Sequence, residues 1–165
     1  MIDRVDIVNT PNGGYMRTIS VAPTNQQMSR ASLAAAQVAY VIEAYDSQQG
    51  RLLDRYDLQA RFVDNTPANG TNSVPYRAFV SIPASTFAPF PASGLPRTTM
   101  TIRAADLIRV LGLNEANISP TDRFEIDATL FLTTGSSFNL RNTGANITGG
   151  AFYNSPFFYR ITVAP

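Results

Sequence analysis

The chain has 165 residues, the size of one domain, with 44% hydrophobic and only 15% charged side chains. All 13 basic residues are Arg, set against 12 acidic ones, and His, Cys and Trp are absent. Ser-His-Asp and Cys-His nucleophiles, Cys/His zinc sites and Schiff-base lysines are thereby excluded.

A net charge of +1 from scattered arginines leaves no electrostatic footprint for nucleic acid. No apolar run approaches the roughly 20 residues of a transmembrane helix. Met1-Ile2-Asp3-Arg4-Val5 has neither the basic nor the apolar region of a signal peptide. Zero Cys suits a reducing cytosol and an exported protein equally, so composition leaves the compartment open.

Period-2 alternation between turn signals recurs along the chain, the mark of half-buried antiparallel strands. Tyr15 to Val21 reads as a short first strand after the Asn12-Gly13-Gly14 turn. Val38, Tyr40, Ile42 and Ala44 share one face of a second strand, and Asp46-Ser47-Gln48-Gln49-Gly50 turns it into a third. There Tyr56, Leu58, Ala60 and Phe62 face the core, and Arg55, Asp57, Gln59 and Arg61 face water. Tyr76, Ala78, Val80 and Ile82 make another face, ended by Pro83.

Leu107, Ile108 and Leu111 then break the rhythm at helical spacing, with Gly112 placed to end a short helix near 104–111. Ser119-Pro120-Thr121-Asp122 is a turn that launches Phe124, Ile126, Ala128, Leu130 and Leu132, opposed by Glu125, Asp127 and Thr129. Thr134-Gly135-Ser136 returns the chain through Phe138 and Leu140. Phe157, Tyr159, Ile161 and Val163 form the inward face of the last strand.

Seven or eight strands and one short helix predict an all-β fold. Its form is a two-sheet antiparallel β-sandwich of immunoglobulin-like type, one domain over 1–165. The Cys…Trp…Cys signature of antibody domains is missing, so only the architecture is implied.

Carboxylates are the acid/base groups left. Glu125 and Asp127 share a face, as a glycosidase pair could, but that face is the polar one and Arg123 lies on it. A solvated charge ladder is the simpler reading, as it is for Asp57 beside Arg55 and Arg61. The loop 64–73 is rich in oxygen ligands, with Asp64, Asn69 and Asn72 as weak calcium candidates. It lacks a bidentate Glu and EF-hand spacing, so a polar loop is expected there.

Five aromatics fall within positions 152–159. Alternation leaves Phe158 pointing away from the core, and its loop leaves Tyr153 free. Exposed rings of this kind stack on sugars or anchor a protein partner. Asn154, with Asn142 and Asn146, is near enough in sequence to supply orienting polar groups. Binding through them is expected to be weak and insensitive to salt.

The tail carries a resemblance. Asp122-Arg123-Phe124, Leu130-Phe131-Leu132 and Thr134-Gly135-Ser136-Ser137-Phe138 lead through Asn142-Thr143 into Gly149-Gly150-Ala151-Phe152-Tyr153-Asn154-Ser155-Pro156-Phe157. With Asn12 to Thr18, Asp64-Asn65-Thr66-Pro67, Ile102 to Leu107 and Leu111-Gly112-Leu113, this is similar to small surface lipoproteins of Bacteroidetes-type bacteria. Those proteins are encoded beside outer-membrane glycan-uptake systems of the starch-utilisation type.

The resemblance implies an exported immunoglobulin-like domain at the outer membrane, held by a lipid on a Cys upstream of this sequence. Its motifs are turn and core patterns and transfer no functional residue. The expectation is a non-enzymatic accessory module without cofactor, whose partner is a glycan or an outer-membrane uptake complex. The alternative is a structural or adhesive subunit that binds protein.

Overall fold

The computed structural model describes residues 13–144, 149 and 157–165. Ten strands and one α-helix lie among them, with the strands in two sheets. One sheet holds β1 (Gly14–Ala22), β3 (Gln37–Asp46), β7 (Pro96–Arg103) and β6 (Ala88–Pro89), in that order. The other runs β2 (Gln27–Ser29), β10 (Phe158–Ala164), β8 (Arg123–Leu132), β4 (Leu53–Val63) and β5 (Val74–Pro83). A further strand, β9 (Ser137–Asn139), pairs with β8 beyond the stretch that β10 occupies.

Every pairing is antiparallel except that of β2 with β10. The orders β1-β3-β7-β6 and β10-β8-β4-β5 reproduce the ABED and GFCC′ sheets of the immunoglobulin sandwich. Ten strands are present where seven or eight are expected. The strands not anticipated are β2 and β6, whose two or three residues are too short to show alternation, and β7, where only Met100 and Ile102 are buried.

Apolar alternation places the core where it should be. Tyr56, Leu58, Ala60 and Phe62 of β4 are buried, as are Phe124, Ile126, Ala128 and Leu130 of β8. Val38, Tyr40, Ile42 and Ala44 oppose them from β3, and Tyr159, Ile161 and Val163 complete the layer from β10. Tyrosines tie the sheets together where antibody domains use a disulfide. Tyr40 of β3 packs on Tyr159 of β10 with ring centroids 4.8 Å apart. The Tyr159 and Tyr56 hydroxyls share a 2.9 Å hydrogen bond.

On β5 the expected face is wrong. Ala78 is exposed and Val80 is 42% exposed, while Val74, Phe79 and Ile82 pack against the core. Leu58 pairs with Val80 but Gln59 pairs with Ala78, so Phe79 is an extra residue that reverses the alternation. A second slip lies between Ala60 and Phe62, and Tyr76 ends up on the outer face beside Arg61.

The β3–β4 turn is built by Asp46. Its Oδ1 accepts hydrogen bonds from the Gln48 and Gly50 amides at 2.7 and 2.9 Å, and its Oδ2 accepts from the Leu52 amide at 2.9 Å. Gly50 sits at φ +82°, where a Cβ would run into the Pro96 ring. The helix α1 (Ala104–Leu111) buries Ala104, Leu107 and Leu111, and Gly112 ends it at φ +66° as its spacing predicts. Among the described residues no helix is long and apolar enough to cross a membrane.

Candidate ligand-binding face

The outer face of the larger sheet gathers the chemistry. Strand β8 is central, so its outward residues Arg123, Glu125 and Asp127 have neighbours on both sides. Register sets Arg61 of β4 and Arg160 of β10 opposite Glu125, and Gln59 and Phe158 opposite Asp127. Cross-strand opposition brings such side chains within contact range.

Three guanidinium groups converge on one carboxylate. Arg61 donates from both Nε and Nη2 to Glu125 Oε2, the former at 2.7 Å. Arg123 Nε lies 2.8 Å and Arg160 Nε 3.4 Å from Glu125 Oε1. The arginine side chains are 41%, 32% and 55% exposed, and the Glu125 side chain beneath them only 1%. Asp127, 9% exposed, accepts from Arg141 Nη2 at 2.8 Å through Oδ2, and its Oδ1 is buried without a hydrogen bond among the described residues.

The expected solvated ladder is thus corrected. Glu125 and Asp127 lie under a roof of arginine side chains that β4, β10 and the turn after β9 supply. Both carboxylates are committed to cations, an arrangement unlike a free acid/base pair. Hydrogen bonds from Arg61 to Glu125 push its guanidinium pKa higher still. The Arg61 head also stands 4.9 Å from the Tyr76 ring, and Arg160 5.6 Å from Phe158. Asp57 pairs with Arg55 at 3.0 Å as the pattern suggests, but Arg61 belongs to Glu125.

Of the residues nominated from sequence, Phe158 is half-buried on this face. It also borders a depression of about 290 Å³ between the sheets, lined with Thr18, Gln26, Tyr40, Tyr159 and Arg160. Tyr153, Asn154 and Asn146 lie outside the described residues. Asn142 is committed to its own turn, donating to the Ser137 carbonyl at 2.8 Å and accepting from the Asn139 amide at 2.8 Å.

Asp64, Asn69 and Asn72 do meet, but as donors and acceptors to one another. Asp64 Oδ1 accepts from the Thr66 amide and hydroxyl, and Oδ2 from the amide and side-chain nitrogen of Asn72. The Asn72 side chain donates as well to the Asn69 carbonyl and Oδ1 at 3.3 Å. These N–H groups point at the carboxylate where a cation would have to stand. The Thr66 and Asn72 amides hold the Asp64 pKa below its usual value.

Sequence reasoning missed the arginine cluster itself. Residues 61, 123 and 160 are far apart in the chain, and only strand register joins them. The available signal was that each is an outward residue on a strand with an alternating pattern.

Titration of this surface has a simple consequence. With no His, Cys or Lys, no ordinary side chain changes charge between about pH 6 and pH 9. Unfolding free energy should be flat across that range in urea titrations. Above about pH 10 it should fall, because burial holds the Tyr159 pKa up at about 12 and raises those of Tyr56 and Tyr40. The unfolded chain then loses phenolic protons that the folded chain keeps, so rising pH favours unfolding. Unfolding free energy that stays level above about pH 10 would contradict this.

No known family matches the chain, and no curated protein sequence does.

Proposed function

We propose that the domain is a non-enzymatic, surface-displayed binding module that captures glycan through the outer face of its larger sheet. The observation that carries this reading is the placement of Phe158. A half-buried ring stands beside Asp127 and Arg160, at the mouth of a depression with hydroxyl and amide groups on its walls. A fixed ring next to polar groups is what stacking on the apolar face of a sugar requires. Commitment of Glu125 and Asp127 to arginine favours binding over catalysis. The likeness to surface lipoproteins of glycan-uptake systems supplies the setting, an exported protein anchored by an upstream lipid at the outer membrane.

Calorimetry against a panel of soluble polysaccharides tests this. Phe158→Ala should abolish binding while the melting temperature stays near that of the wild type. Retained binding by the folded variant would remove the ring from the site.

A second reading, a structural or adhesive subunit that binds protein, draws on the strand edge of β7. There β6 pairs only with Pro96 and Arg97, so the edge of Thr98–Ile102 is open among the described residues. Binding to no polysaccharide, together with copurification of a membrane partner, would favour it.

A further inference from the structure

We infer that the glycan selected by this face is anionic, carrying carboxylate or sulfate groups; the inference rests on the glycan-binding reading above. The face holds Arg61, Arg123, Arg141 and Arg160 against Glu125 and Asp127, a surplus of two positive charges on a chain whose net charge is +1.

The surplus is presented in a usable form. Arg123 and Arg160 approach Glu125 most closely through Nε, and among the described residues neither pairs with a second carboxylate. A guanidinium met at Nε carries a second edge, its paired Nη1 and Nη2 groups, and both side chains are partly exposed. That paired edge is the one that matches a carboxylate or sulfate in bidentate fashion.

Glu125 acts as a buried positioning residue. It draws three guanidinium groups to one point, engaging Arg61 at Nε and Nη2 and meeting Arg123 and Arg160 at Nε. Pre-set donors lose less entropy on binding than free arginine side chains would.

Phe158, whose ring lies 5.6 Å from the Arg160 guanidinium, distinguishes a saccharide from a bare inorganic anion. One edge of the sugar would meet the guanidinium groups, and its apolar face the ring. The consequence for binding is the reverse of what the overall charge suggests, since salt should weaken it.

The test uses the whole chain and two matched ligand pairs, polygalacturonate with its methyl ester and dextran sulfate with dextran. Calorimetry would be run at low and at physiological salt. The charged member of at least one pair should bind about tenfold tighter than its neutral counterpart, and lose most of that advantage as salt rises. Which pair responds separates carboxylate from sulfate.

Arg160→Gln should lower the affinity about fivefold or more with little change in melting temperature, since that side chain is 55% exposed. Arg160→Lys, which restores charge without the fork, should recover only part of it. Equal binding of neutral and charged members would overturn the inference and leave the glycan reading standing. Binding of no polysaccharide of either kind would overturn both. Equally tight binding of polyglutamate would assign the cluster to an acidic protein partner instead. Unchanged affinity in Arg160→Gln would remove the cluster from the site.

Discussion

Phe62→Ala should lower the unfolding free energy by about 3–5 kcal/mol, the range for emptying a large aromatic site in a packed core. Phe62 is 1% exposed and lies opposite Phe124, with ring centroids 5.3 Å apart. Both sit on the two central strands of the larger sheet, where the backbone has little freedom to collapse into the void.

Its neighbour Arg61 gives the informative contrast. Alternation alone predicts a surface residue and an effect within roughly 0.5 kcal/mol. The structure raises that expectation, because Arg61→Ala removes two hydrogen bonds to a buried carboxylate. Partial exposure of the guanidinium and the remaining Arg123 and Arg160 limit the loss to about 1–2 kcal/mol. Urea unfolding of the two variants checks the pair. Equal losses would mean that the register of β4 is misassigned.

Glu125→Gln should be the most damaging change on the outer face, at about 2–4 kcal/mol. The amide has nearly the shape of the carboxyl group, so packing is retained while the charge and one acceptor oxygen are lost. Three guanidinium groups then share one region without a counter-charge. They are partly exposed and can turn toward water, which keeps the cost below that of stranding a wholly buried ion.

Two measurements separate this cause from a general packing defect. Added salt should restore part of the lost stability by screening the repulsion. Combining Glu125→Gln with Arg123→Gln should cost less than the sum of the two single changes. A Glu125→Gln protein as stable as the wild type would mean that the cluster contributes nothing net to folding.

Much of the fold is legible in the sequence because burial of one sheet face writes itself as alternation. The apolar residues of β3, β4, β8 and β10 obey that rule, and α1 announces itself through Leu107, Leu111 and Gly112. β5 defeats the reading because Phe79 and the slip beside Arg61 each insert a residue that alternation cannot anticipate. β2 and β6 owe their existence to the partners they pair with, having too few residues to carry a pattern, and β7 hides because its buried residues are confined to Met100 and Ile102.

The candidate face is legible only in fragments. Phe158 can be assigned outward from its parity with Tyr159. The burial of Glu125 cannot, since its cover comes from residues 64 positions before it and 35 after it. Parity distinguishes the two faces of a strand, but says nothing about how long side chains from adjacent strands close over a position.

The interruptions in β5 have a consequence for crowding. An outermost strand of a sheet offers free amides and carbonyls to a strand from another molecule, the first step toward aggregation. Here Pro75 and Pro83 each lack an amide hydrogen, and Phe79 throws the backbone out of register between them. An incoming strand would find only Tyr76 to Ala78 and Val80 to Ile82 as short, mismatched stretches. Copies at high concentration could then sit side by side without their sheets fusing.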